Sequence, residues 1–119
     1  MPDAPLVEIQ FTPDFKRQVK RLAKRYRSIQ ADLQPIFKRL SNGESFGDQI
    51  SGIDFFVVKV RVKNSDNRKG KSGGYRMIYW RLSDALVVLI DIYSKSDRSD
   101  VDVTEIRQII NRFGSTSEE

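Results

Sequence analysis

From its first residues the chain alternates apolar and polar positions, with Val7, Ile9 and Phe11 on one side and Glu8 and Gln10 on the other. A two-residue period belongs to a half-buried strand, which predicts a first strand at about residues 6–11. Thr12-Pro13-Asp14 then supplies a helix start, with Pro in the first turn where its missing N–H is harmless. From Asp14 to Tyr26 the period is helical: Phe15, Val19, Leu22, Ala23 and Tyr26 form an apolar stripe. Lys16, Arg17, Lys20, Arg21, Lys24, Arg25 and Arg27 fill the remaining positions, so this helix has a basic outer face. Ile29, Leu33, Ile36, Phe37 and Leu40 repeat the pattern from Ser28 to Ser41. Pro35 removes a backbone donor there and predicts a kink or a fresh turn, and Asn42-Gly43 ends the segment. Matched apolar faces and a short connection predict an α-hairpin laid on one side of a sheet.

After a loop rich in Gly and Ser, from Gly43 to Gly52, the two-residue period returns. Phe56, Val58, Val60 and Val62 alternate with Val57, Lys59, Arg61 and Lys63, giving a strand with one core face and one increasingly cationic face. Asn64 to Gly74 is a polar connection, and Tyr75–Leu82 and Ala85–Ser94 are two further strands joined at Ser83-Asp84. On the pleat, Tyr75, Met77 and Tyr79 share one face and Arg76, Ile78 and Trp80 the other, with Tyr79 and Trp80 expected in the core. Leu86 to Ile90 is apolar at both parities, as in a central strand covered on both faces. Asp102 and Glu105 suit a capped helix start, Val103, Ile106, Ile109, Ile110 and Phe113 make a last apolar stripe, and Gly114–Glu119 is expected to fray. The expected fold is α+β: one domain over residues 1–119, structured from 6 to 113, in the order βααβββα. A small antiparallel-rich sheet carries the N-terminal α-hairpin on one face, followed by a C-terminal helix.

Composition narrows the chemistry more than the fold. A length of 119 residues, 39% hydrophobic and 31% charged, supports one core without disulfides or metals. The longest apolar run, Ala85 to Ile90, is far short of the roughly 20 residues of a membrane-spanning helix. Met1-Pro2-Asp3-Ala4-Pro5 has neither a basic nor an apolar leader region, so the cytoplasm is the expected location. There is no Cys and no His, which excludes a disulfide framework, thiolate nucleophiles, Cys- or His-based zinc sites and Ser-His-Asp triads. Catalysis would fall to Lys, Arg, Tyr, carboxylates or backbone groups.

The net charge of +5 hides strong polarisation. Residues 15–27 hold seven basic and no acidic residues, and residues 59–81 eight basic and one acidic, whereas residues 82–119 carry eight acidic against four basic. Such a distribution points to a polyanionic partner. The helix cations serve equally well as a solvated surface. Lys59, Arg61 and Lys63 on one sheet face are harder to explain that way, because an unpartnered positive row needs solvent or a ligand. Three local motifs fail on inspection. Gly70-Lys71-Ser72 lacks the glycine a phosphate loop needs at Ser65, and a strand, not a helix, follows it. Asp97, Asp100, Asp102 and Glu105 lack the ligand pattern and turn glycine of a calcium loop and are better read as acids favoured by a helix dipole. Gly73-Gly74-Tyr75-Arg76-Met77-Ile78-Tyr79 does not fit the ribonucleoprotein motif.

The order βααβββα, Lys59-Val60-Arg61 on a strand, the run Gly70-Lys71-Ser72-Gly73-Gly74-Tyr75-Arg76-Met77-Ile78-Tyr79 and the run Ile92-Tyr93-Ser94-Lys95-Ser96-Asp97 resemble the RelE/ParE superfamily of type II toxin–antitoxin toxins. The similarity spans nearly the whole chain, and both runs look like the RelE/HigB-type branch, whose members cleave messenger RNA on the ribosome. The resemblance implies a metal-independent, cofactor-free endoribonuclease in which the RNA's 2′-hydroxyl attacks the adjacent phosphate. It implies Lys59 as base or 2′-hydroxyl activator, Arg76 as phosphate clamp, and Lys95 as the cation that neutralises the phosphate or assists the leaving oxygen. Arg61, Lys69 and Lys71 would hold the message backbone, and Tyr93 would stack on or orient a base. The implied partners are an antitoxin, messenger RNA and the ribosome, with no membrane or metal. Two positions depart from the family: Val57 stands where well-studied members have a second lysine, and Asp102 where they have a tyrosine. A ParE-type gyrase inhibitor and a non-catalytic basic RNA-binding module remain the competing expectations.

Overall fold

Thr12 is where the chain changes period, and its side chain secures the change. In the computed structural model, which describes residues 6–66 and 74–117, Thr12 Oγ1 accepts a hydrogen bond from the Phe15 N–H at 3.0 Å. Its hydroxyl donates toward the carbonyls of Leu89 and Ile90, at 2.9 and 3.2 Å. One buried residue thus caps the first helix and ties it to a distant strand.

The elements are β1 (Glu8–Phe11), α1 (Pro13–Ala23), α2 (Ile29–Ser41), β2 (Asp48–Gln49), β3 (Val57–Val62), β4 (Tyr75–Ser83), β5 (Leu86–Ser94) and α3 (Val103–Ser117). They form an α+β fold around a five-stranded mixed sheet in the order β1-β5-β4-β3-β2, in which β1 runs parallel to β5 and the other pairs are antiparallel. Each face has its own core. Phe15, Val19 and Leu22 of α1 and Ile29, Leu33 and Leu40 of α2 pack on Val58, Val60, Val62, Tyr75, Met77 and Tyr79. Ile106, Ile109 and Ile110 of α3 pack on Val57, Ile78, Val88 and Ile90 on the opposite face. The two-sided apolar run of β5 is thereby explained, since β1 and β4 flank it and helices cover both its faces.

A bulge in β5 sets which residues reach which face. Ile78 pairs with Asp91 and Tyr79 with Leu89, leaving Ile90 as the extra residue. The alternation resets there: Ile92, not Asp91, follows Leu89 into the core under the α-hairpin, and Tyr93 belongs to the α3 face. Gly74 supports the start of β4. Its φ is +105°, and a Cβ would lie 2.8 Å from the Val62 carbonyl oxygen, so glycine is required on both counts.

Several boundaries differ from expectation. β1 begins at Glu8, and α1 stops at Ala23, where Arg25 and Tyr26 donate back to the Leu22 carbonyl and the Tyr26 ring meets Tyr75 edge-on at 5.7 Å. α2 passes through Pro35 as one element, because both Pro35 and Ala31, whose carbonyl loses its donor, lie on the exposed side. β2 arises within the loop read as irregular. Its two residues carry no period, and only pairing with Val58 and Lys59 makes them a strand. Phe56 and Lys63 fall outside β3. α3 continues through Gly114 to Ser117 where fraying was expected: one glycine disfavours a helix by only about 1 kcal/mol, too little to stop one anchored by three buried isoleucines. Among the described residues no helix is long and apolar enough to cross a membrane.

Candidate nucleic-acid interface

The α3 face of the sheet changes character along its strands. Val57, Ile78 and Val88 lie beneath α3, and the next positions on the same face are charged. Lys59 pairs in register with Ile78 and then Asp91, and Arg61 pairs with Arg76 and then Tyr93. Strand pairing, with the bulge in β5 resetting the alternation, therefore places Lys59, Arg61, Arg76 and Tyr93 together on adjacent strands. Arg61 is exposed and Lys59 half-buried, while Arg76 on the middle strand is only 8% exposed. The Arg76 guanidinium donates to the Tyr75 carbonyl at 3.2 Å, and among the described residues no carboxylate pairs with it. A buried guanidinium that, among the described residues, meets only a neutral carbonyl is left with an uncompensated charge that an anion would offset.

The connection from β5 to α3 borders this face and is strapped down by charge. The Lys95 N–H donates to the Gly74 carbonyl at 3.0 Å, which holds the half-buried Lys95 beside the start of β4. Asp97 pairs with Arg25 beyond the end of α1 at 2.9 Å. Arg98 pairs with Asp91 at 3.0 Å and lies over the Tyr93 ring, its guanidinium carbon 4.6 Å from the centroid. Asp100 pairs with the Lys59 ammonium at 3.2 Å. Asp102 and Glu105 do what was expected of the acid cluster: Asp102 Oδ1 accepts from the N–H groups of Thr104 and Glu105, at 3.0 and 3.3 Å, and Glu105 lies in the first turn. Asp97 and Asp100 are instead spent on cations of other elements.

The titrating groups follow these contacts. The Val101 N–H and the Lys59 ammonium hold Asp100 below the usual carboxylate range. Burial pushes Asp91 up, only partly offset by Arg98. Burial likewise raises Tyr93 and Tyr75, whose hydroxyls have no hydrogen-bond partner among the described residues. Tyr26 is lowered by the Arg25 guanidinium, 2.6 Å from its oxygen.

Of the residues singled out in the sequence, Lys59, Arg61, Arg76, Tyr93 and Lys95 come together here, and Lys69 and Lys71 lie outside the described residues. Two expectations change. Lys59 does not stand among cations alone, because Asp100 faces it. Tyr93 is 3% exposed with Arg98 over its ring, so it has no open face for a base. Val57 is fully buried in the α3 core and Asp102 is a helix cap, so neither of these two positions puts a reactive group in the site. Trp80 packs between Phe55 and Phe113 at 5.5 and 6.5 Å, and the Tyr79 hydroxyl donates to the Phe46 carbonyl, as core residues. Arg98, Asp91 and Asp100 were missed. For Arg98 and Asp100 the sequence signal is the charged run Asp97-Arg98-Ser99-Asp100, which has no period to say where each side chain goes, and for Asp91 it is a single carboxylate within the apolar run of β5. Neither the models of known protein families nor the curated proteins give a match to the chain.

Proposed function

We propose that this chain is an RNA-cleaving toxin of the RelE/ParE type, acting on messenger RNA at the ribosome and held inactive by an antitoxin. The observation that carries the reading is Arg76: buried in the middle of a cationic sheet face, without a carboxylate partner among the described residues, and in register with Arg61. A phosphodiester supplies the anion that such a guanidinium lacks, and its planar fork suits two phosphate oxygens.

The reaction needs few protein groups. The 2′-oxygen attacks the adjacent phosphorus, the bond from phosphorus to the 5′-oxygen breaks, and the products carry a 2′,3′-cyclic phosphate and a 5′-hydroxyl. The 2′-hydroxyl gives up its proton and the leaving oxygen takes one. Arg76 and Arg61 hold the phosphate and stabilise the extra charge of the phosphorane. Lys59, two residues from Arg61 on the same face, is placed to orient the 2′-hydroxyl once substrate displaces Asp100. Lys95 neutralises the leaving oxygen. The antitoxin has a surface of its own on the opposite layer. A groove of about 430 Å³ between α1 and α2, lined by Phe11, Phe15, Val19, Leu33 and Phe37 and flanked by Lys16 and Lys20, suits an acidic amphipathic segment.

A second reading, an RNA-binding module without catalysis, is favoured by Val57 and Asp102, which contribute nothing reactive. Controlled expression of the wild type and Arg76→Ala, with mapping of RNA 5′ ends and DNA supercoiling, separates the readings. New 5′ ends on translated messages, reduced about 100-fold or more in Arg76→Ala, are expected. Growth arrest with intact messages and altered supercoiling would instead identify a gyrase inhibitor. RNA binding without new ends would identify the non-catalytic module.

A further inference from the structure

Tyr93 cannot offer a ring face to RNA, yet the group that covers it can. Arg98 lies over the ring at 4.6 Å and is fixed there by a second contact, its terminal nitrogen donating to Asp91 Oδ2 at 3.0 Å. That carboxylate is itself held: its side chain is 5% exposed, and Oδ1 accepts from the Ile92 N–H at 2.9 Å. About a third of the Arg98 side chain, 32%, remains in solvent. A planar cation is therefore backed by an aromatic ring and fixed by a buried carboxylate, while part of it stays accessible. Its place is set by the strands, because the Tyr93 beneath it is in register with Arg76, and Arg76 with Arg61.

We propose that Arg98 is the base-stacking residue of this site, receiving on its outer face a nucleobase of the single-stranded RNA whose phosphate Arg61 and Arg76 hold, with Asp91 as its positioning residue. The inference deepens the RNA reading and rests on it. Guanidinium planes stack on unpaired bases, every base has such a face, and the contact therefore tolerates sequence. The competing account is that Arg98 only neutralises Asp91.

Arg98→Lys separates the two, because it keeps the charge opposite Asp91 and removes the plane. The probe is a 2′-O-methylated RNA tetranucleotide carrying 2-aminopurine, in which the nucleophile is blocked so that binding is read without cleavage. The wild type is expected to quench the 2-aminopurine fluorescence on binding. Arg98→Lys is expected to keep the salt dependence of binding, lose the quench and bind about fivefold or more weakly. Asp91→Asn, which frees the guanidinium to turn, is expected to show a reduced quench. A full quench in Arg98→Lys overturns the inference, as does wild-type binding that depends on Arg76 but shows no quench, and in both cases the RNA reading survives. Absence of wild-type binding overturns both. Should thermal melting show Arg98→Lys unfolded, Asp91→Asn decides, and an undiminished quench there overturns the inference.

Discussion

Asp91 concentrates, in one side chain, the tension between folding and site construction. Burial raises its pKa above the ordinary carboxylate value, and Arg98 only partly compensates. A carboxyl whose folded pKa lies above its unfolded one favours the folded state most at pH below the unfolded value, and that contribution is lost as pH rises through the folded value. Ionising Asp91 therefore weighs against stability. The urea midpoint of the wild type relative to Asp91→Asn should accordingly rise as pH falls from 7 toward 4, measured by denaturation of both proteins at several pH values. A constant difference would show that Asp91 does not carry a raised pKa. Retaining an ionised carboxylate at a net disadvantage makes sense if its task is to hold Arg98 over Tyr93.

At the scale of elements, agreement between sequence and structure follows how strongly each segment is patterned. β4, β5 and the apolar stripes of α1 and α3 lie close to where periodicity puts them, because each has a long run of buried residues on a regular spacing. β2 and the early end of α1 were not legible, since pairing partners and a chain reversal decided them. Pro35, where a kink or a fresh turn is expected, does not divide α2, which runs through it on its exposed side. Its replacement restores one backbone hydrogen bond and disturbs no core packing. Pro35→Ala is expected to stabilise the fold by about 1–3 kcal/mol, the lower figure allowing for the freer unfolded chain, as read from urea denaturation.

For the molecule as a whole, the sheet separates two sets of cations. The basic face of α1 belongs to the layer of the α-hairpin, and Arg61 and Arg76 lie on the face toward α3. A short RNA can engage one side only. For a tetranucleotide, Arg61→Ala should reduce the slope of log affinity against log salt by about 0.7, the loss of roughly one phosphate contact on a single strand. Lys20→Ala, on the far layer, should leave that slope unchanged. Fluorescence anisotropy at a series of salt concentrations checks both, and equal effects would show that the RNA does not choose between the faces.

The amino-acid order by itself determined the α+β class, the order of the elements other than β2, and the two-sided burial of β5, because these depend on local period and composition. It also determined that Lys59 and Arg61 share a strand face, since a two-residue alternation leaves no other choice. Only the tertiary structure decided that Arg76 is buried beside Arg61 without a carboxylate partner among the described residues, that Asp100 reaches Lys59, and that Arg98 covers Tyr93. Those relations join residues up to 41 positions apart through strand register, one bulge and an irregular connection. Register and loop path are set by packing between elements, and no local pattern encodes them.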